Sequence, residues 1–339
     1  MCAKINNLVF EGGGVLGIAY LGVLDALYQM GIAQQLRRVA GTSAGAITAC
    51  ITSFNLPFPE IVSIANTLDY QQIPQQTSHP ALANLPDAAK SQLYSIIGDL
   101  DSVYRLLHDY GWYSSEYVYR WLQDQIACQF DPVKKSPPYT FADFRNPALH
   151  VGGRQFLDLY VIGTDISCKA SRVFSYKTTP DMEVAEAVRI SMSIPLFFEA
   201  VKVSDPATTE GEGTHVFSDG GVMRNYPINL FDWMNRSDSR QYGIRFETLG
   251  ARFISRPPCI EINSLHDYIK NLFQSILNVQ QDLFHHNPDD IARSIQIETN
   301  GVSSVDFDVT TGDETYRYLY KQGCDATMQY FAWRSGAAY

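Results

Sequence analysis

Gly41-Thr42-Ser43-Ala44-Gly45 fits the pattern G-x-S-x-G, in which a strained turn between strand and helix holds a serine hydroxyl at a sheet edge. The flanking glycines make room for it, and the helix beyond offers amide donors to developing negative charge. The same pentapeptide also serves as a plain structural turn, so its neighbours decide. Gly12, Gly13 and Gly14 close one short apolar run and open a helical one, a place where backbone amides converge on an anion. In an acyl hydrolase that anion is the oxygen of the tetrahedral intermediate. Two other readings stay open. One is a close helix-to-sheet packing turn, for which Gly12, Gly17 and Gly22 serve equally well. The other is a nucleotide-dependent enzyme, since Gly12-x-Gly14-x-x-Gly17 satisfies the dinucleotide fingerprint literally. That fingerprint expects an acidic residue about 20 positions on. Gln34-Gln35-Leu36-Arg37-Arg38 stands there instead, and an arginine can accept a 2′-phosphate.

A serine nucleophile needs a base. The histidines are His79, His108, His150, His215, His266, His285 and His286, and none sits in a distinctive turn. They read as surface or capping residues. Asp219 instead follows an apolar run and precedes Gly220-Gly221, which exposes its carboxylate at a sheet edge. A carboxylate with a reference pKa of about 3.9 is a weak base, and partial desolvation that raises the pKa makes it a better one. An ordinary Asp-Gly turn is the plain alternative. The carboxylates and histidines lack metal-ligand spacing.

These turns need elements to hold them. Residues 8–10 read as a strand, 15–30 as a largely buried helix stopped at Gly31, 38–40 as a second strand end and 46–51 as the start of a second helix. Two strand-turn-helix units predict an α/β layer with parallel strands. Residues 55–150 change character and read as helical cover, with a helix near 114–129 for which Ser114 or Ser115 can cap. Strand-like runs return at 156–166, 172–176, 215–218 and 294–298, and helices are expected over 181–189, 264–286 and 313–333. There is no repeat or low-complexity linker, so one continuous domain is preferred.

The chain has 339 residues, 45% hydrophobic and 18% charged, with a net charge of −10. That is a globular composition, and its sign argues against nucleic acid or an anionic surface held by bulk charge. Any membrane contact is then local or apolar. The six scattered cysteines, with no C-x-x-C pair, fit neither a disulfide scaffold nor a zinc cluster, and read as buried free thiols. No apolar run reaches the roughly 18 residues of a spanning helix, and no signal peptide is evident, so folding in a reducing cytosol is expected.

In their order along the chain, Glu11-Gly12-Gly13-Gly14-Val15-Leu16-Gly17, Gly41-Thr42-Ser43-Ala44-Gly45 and Asp219-Gly220-Gly221 resemble the patatin-like phospholipase family. The similarity continues through Arg189-Ile190-Ser191-Met192-Ser193-Ile194-Pro195-Leu196-Phe197-Phe198 and a tail from Ile295 through Asp306-Phe307 to Gly323. The resemblance implies a three-layer α/β/α fold with a central, mainly parallel sheet, in a single domain over 6–334 with a helical cover at 55–150. It implies calcium-independent, phospholipase A-type cleavage of fatty-acyl esters by a Ser-Asp dyad. Ser43 would be the nucleophile, Asp219 the proton acceptor and Gly12, Gly13 and Gly14 the oxyanion hole, with Gly17, Gly41, Gly45, Gly220 and Gly221 shaping the turns. No metal or cofactor is implied. The partner would be a membrane phospholipid or another acyl lipid met by peripheral contact, with room for an unidentified activator and for delivery as a secreted effector. The family usually carries Lys or Arg where Leu16 stands, which bears on headgroup preference. A catalytically inactive lipid-binding module with the same fold is the remaining rival.

Overall fold

The computed structural model describes residues 4–75, 99–204, 213–232, 247–254, 259 and 261–336. Cys2, His79 and residues 76–98 of the expected cover lie outside them. Strand β1 (Asn7–Phe10) runs through the glycine turn and a short 3-10 turn (Gly14–Ile18) into α1 (Ala19–Gln29). Strand β2 (Arg38–Thr42) and α2 (Ala44–Ser53) repeat the unit. The cover supplies α3 (Phe58–Ala65), α4 (Leu100–His108), β3 (Gly111–Tyr113), α5 (Glu116–Ala127) and α6 (Phe141–Phe144). Then come β4 (Asp158–Asp165), β5 (Ala170–Ser175), α7 (Val184–Met192), β6 (Leu196–Phe198), β7 (Val201–Val203), β8 (His215–Asp219) and α8 (Gly221–Arg224). Last are β9 (Thr248–Ile254), α9 (Leu265–His285), α10 (Pro288–Ala292), β10 (Ser294–Glu298) and α11 (Glu314–Arg334).

The main sheet has the order β10-β9-β1-β2-β4-β8-β7, with β5 also paired to β4. Its centre is parallel, from β10 through β9, β1 and β2 to β4. The β4–β5, β4–β8 and β7–β8 pairs are antiparallel. Side chains alternate across each strand, so β1 sends Leu8 and Phe10 to one face and Val9 to the other. The first face packs with the buried residues of α1, α2, α7 and α11. On the second face Val9, Ala40, Tyr160 and Ile162 pack with Ile228, Leu230 and Phe231, and α9 lies beyond, with Phe284 against Tyr226. Burial on both faces is the reason these strands read as continuous apolar runs. The result is the expected three-layer arrangement.

Several expectations need correction. The helix expected over 15–30 begins as a 3-10 turn and becomes α-helical only at Ala19. Strands β6, β7 and β9 were not evident in the sequence, and β9 lies between β1 and the edge strand β10. Of the two candidate caps for α5, Ser114 accepts the Glu116 amide on its hydroxyl at 3.2 Å, whereas Ser115 occupies the N-cap without a side-chain capping bond and accepts from Arg189 Nε at 2.9 Å. Cys50 is buried, but Cys128, Cys168 and Cys259 are exposed, so the thiols are not uniformly core residues. Among the described residues no helix is long and apolar enough to cross a membrane.

Helices α1 and α11 approach so closely that each needs a glycine. A Cβ on Gly22 would lie 1.9 Å from the Tyr320 carbonyl oxygen, and one on Gly323 would lie 1.9 Å from that of Ala19. Since α1 continues directly from the glycine turn, this contact sets the turn's position. Gly323→Ala is expected to cost about 1–3 kcal/mol through overpacking, read as a lowered Tm. An unchanged Tm would show that the two helices can part without loss.

Candidate active site

Ser43 sits between the end of β2 and the first turn of α2 with φ 53° and ψ −126°, a backbone conformation that a non-glycine residue adopts only when its surroundings force it. Three neighbours supply that force. The Ser43 amide donates to Ser191 Oγ at 2.9 Å, and the Ser191 hydroxyl in turn donates to the Ile162 carbonyl. A Cβ on Gly41 would lie 2.0 Å from the Gly45 carbonyl oxygen, and one on Gly45 2.6 Å from that of Phe10. Both glycines of the pentapeptide are therefore required by close backbone approach.

Asp219 ends β8 and is fully buried. Its amide donates to the Ser193 carbonyl at 2.8 Å, the Gly220 amide donates to that of Ser191 at 3.2 Å, and the Thr164 hydroxyl donates to the Asp219 carbonyl at 2.9 Å. Asp219 Oδ1 accepts the Gly221 amide at 2.6 Å. Oδ2 is buried with no hydrogen-bond partner among the described residues. Burial pushes the Asp219 carboxyl up to about 7, against the opposing pull of the Gly221 amide and the Ser43 hydroxyl. Such a carboxylate is half-ionised near neutrality, where a general base works best. The Ser43 hydroxyl lies close enough to the carboxylate to act on its titration.

The glycine turn is the third part. The Gly12 amide donates to the Asn225 carbonyl at 3.0 Å, and Asn225 Nδ2 donates back to the Gly12 carbonyl at 3.1 Å. Gly12 is thus a clamp, not a free donor, which removes it from the expected set of three oxyanion amides. A Cβ there would lie 2.3 Å from Asn225 Oδ1 and 3.0 Å from Ser43 Cβ. Among the described residues the Gly13 and Gly14 amides have no acceptor. Just before them, Glu11 is buried, accepts the Phe253 amide at 2.7 Å and lies 3.8 Å from Arg252 Nε. Burial raises the Glu11 pKa while Arg252 opposes the rise.

A narrow cleft opens beside Ser43, lined by Gly14, Val15, Leu21 and Ile47 and by cover residues such as Tyr70 and Trp121. Phe198 and Phe307, which the sequence left unassigned, also line it. Leu16 is buried in the core and does not line the cleft, so position 16 does not reach a substrate there. No histidine lines the cleft among the described residues. His150 is buried and stacked on Phe156, and His215 is buried against Asp165, so neither is the surface residue expected. His108, His285 and His286 are exposed.

The matching family model, Patatin-like phospholipase, covers residues 8–232. The chain belongs to this family. The uncharacterised protein YqhO of Bacillus subtilis strain 168 is 31% identical over 252 residues, 74% of this chain and 72% of that protein. The probable lipid hydrolase 463L of invertebrate iridescent virus 6 is 26% identical over 226 residues, 66% of this chain and 62% of that protein. The crystal structure of VipD from Legionella pneumophila superposes with a TM-score of 0.55 at 18% identity, over 96% of this chain and 66% of that one, which shows a shared patatin fold.

The patatin-like fold leaves no place for the nucleotide reading. Arg38 opens β2 instead of following it, so the arginine pair lies at the sheet edge opposite the glycine turn. The Val15 amide, the next donor after the glycines, is engaged by the Ser304 carbonyl at 3.0 Å, so the helix start offers no longer row of free amides to a diphosphate. Sequence reasoning missed Ser191, Ser193 and Asn225. Their only signal was membership in the motif-like run 189–198 and a position six residues past Asp219.

A carboxyl whose folded pKa lies above its unfolded value contributes stability that is complete below about 3.9 and lost as pH rises through about 7. Asp219→Asn, which stays neutral, is therefore expected to gain Tm relative to wild type as pH is raised from 4 to 8. A Tm difference that does not change over that range would contradict the buried, unpaired carboxylate.

Proposed function

We propose that this chain is a serine-dependent lipid acyl hydrolase of phospholipase A type, built as one domain over 6–334 and acting at a membrane surface by peripheral contact. One observation carries the reading: a serine in a strained turn at the wall of an apolar cleft interacts with a buried carboxylate, one oxygen of which has no other partner among the described residues. The name of the viral relative, a probable lipid hydrolase, supports the same chemistry.

In this mechanism Ser43 Oγ attacks the ester carbonyl carbon while Asp219 Oδ2 takes its proton. The amides of Gly13 and Gly14 hold the oxyanion, in a water-poor pocket where such donors count for most. The C–O bond to the glycerol side breaks, and the proton on Asp219 passes to the leaving alcohol. Water, deprotonated by Asp219, then attacks the acyl-serine, the bond to Ser43 Oγ breaks, Asp219 returns the proton to that oxygen, and the fatty acid leaves. The Tyr70, Trp121 and Phe198 walls suit an acyl tail, because a long apolar chain gains about 0.8 kcal/mol per buried methylene.

Calcium has no assigned part. The possible metal ligands that group together among the described residues are Asp165, Cys168 and His215, at the far end of β8 from Asp219. Turnover of a monomeric ester is expected to persist in excess EDTA, and near-total loss restored by calcium would sink that claim.

A fluorophosphonate probe is expected to label Ser43, mapped by mass spectrometry, with labelling abolished in Ser43→Ala. Asp219→Asn is expected to lower turnover by about 10²–10⁴-fold while circular dichroism stays unchanged. Labelling at another serine, or full turnover in Asp219→Asn, would reject the dyad.

A further inference from the structure

Away from the cleft, Asp165 ends β4, Cys168 follows three residues later in the turn to β5, and His215 opens β8. Their sequence spacing gives no ligand pattern. Antiparallel pairing of β4 with β8 places Asp165 opposite Phe217 and so brings His215 beside it. His215 Nδ1 lies 2.8 Å from Asp165 Oδ2 and 3.6 Å from Cys168 Sγ, and the three donor atoms all lie within 4.8 Å of one another. The Cys168 amide donates to Asp165 Oδ1 at 2.9 Å, which fixes the turn.

Sulfur and carboxylate meet the same ring nitrogen. A proton relay uses both nitrogens of the imidazole, so this trio is not a catalytic triad; its donors converge on one point. A tetrahedral ion with bonds of about 2.3 Å to sulfur and 2.0–2.1 Å to nitrogen sets those two atoms about 3.5 Å apart. The sulfur–nitrogen separation already has that value. The oxygen–nitrogen separation needs to open by about half an ångström once the hydrogen bond between them is replaced by two metal bonds.

We propose that Asp165, Cys168 and His215 form a zinc-binding site with a fourth position open to water. Thiolate, imidazole and carboxylate together suit zinc better than calcium or magnesium, which take oxygen donors. Asp165 and His215 are buried and held, whereas Cys168 is exposed and gives the ion its entry path. Binding releases the thiol proton and leaves a carboxylate and a thiolate facing the ion. The Arg172 guanidinium, 3.5 Å from Asp165 Oδ2, offsets one of those two negative charges and so tempers the affinity. The ion ties the turn after β4 to the start of β8, four residues before Asp219. Its effect is therefore on the stability of the strand that carries the base, and not on the ester chemistry.

The full-length protein, stripped with EDTA and kept reduced, is titrated with Co²⁺ and then with Zn²⁺. One Co²⁺ per chain is expected, with the visible bands of a tetrahedral ion and a thiolate-to-cobalt charge-transfer band that Zn²⁺ bleaches. Zn²⁺ is expected to raise the Tm. Cys168→Ser, at an exposed position, removes the charge-transfer band with circular dichroism unchanged, Arg172→Gln tightens binding several-fold, and Cys128→Ser and Cys259→Ser leave both unchanged. No saturable binding, or a charge-transfer band that survives Cys168→Ser, overturns the proposal. A band lost in Cys128→Ser or Cys259→Ser marks adventitious binding at that thiol and overturns it equally.

Discussion

The segment Ser191-Met192-Ser193, at the end of α7, holds two otherwise separate turns in register. Ser191 takes the Ser43 amide on its hydroxyl, and the Ser191 and Ser193 carbonyls take the amides of Gly220 and Asp219. Ser43 and Asp219, which follow different strands, are thereby fixed by one short piece of chain. Hydrogen bonds of this kind contribute only about 1 kcal/mol each to stability, but their effect here is geometric. An unfavourable φ at Ser43 and a desolvated carboxylate at Asp219 both raise the energy of the native state. They persist because the same backbone over-determines both.

A second buried polar set does the same for the glycine turn. Asn225 grips Gly12 in both directions, and its own amide donates to Gln280 Oε1 on α9 at 2.7 Å. Glu11 sits between the β9 backbone and Arg252, whose guanidinium lies 3.8 Å from the centre of the Phe284 ring. A buried charge needs partners of this kind to be tolerated at all. The outer helix α9 is thus coupled through Gln280 and Phe284 to the turn that faces Ser43.

What the sequence revealed follows the physics of each element. The turns at Gly12–Gly14, at Ser43 and at Asp219 were legible because close backbone approach demands glycine at fixed offsets, and that leaves a mark in residue type. Strands β1, β2 and β4 were legible because burial on both faces makes their centres apolar, and β10 because its two isoleucines alternate with polar residues. Strand β9 was not, since its core interrupts the pattern: Gly250 makes room for the Tyr226 hydroxyl, and Arg252 turns inward to Glu11. Ser191 and Asn225 were illegible as positioning groups for a related reason. A hydroxyl or amide that serves another residue's backbone is chosen by tertiary contact, and no local period announces it. The engaged Gly12 amide could likewise not be told from its neighbours without the Asn225 carbonyl in view.

The neighbours of β1 carry a consequence for the order in which this molecule is made. β1 lies between β2, some thirty residues away, and β9, some 240 residues away, and α1 rests on α11 through Gly22 and Gly323. Contacts of such separation form late, because loop closure must be met before they contribute. During vectorial synthesis the serine turn and the aspartate turn both leave the ribosome before β9, β10 and α11 exist. The glycine turn, made before both, then has neither its Phe253 anchor nor its helix seat. A nascent chain that has not yet made β9 and α11 therefore carries Ser43 and Asp219 without the contacts that seat the glycine turn beside them.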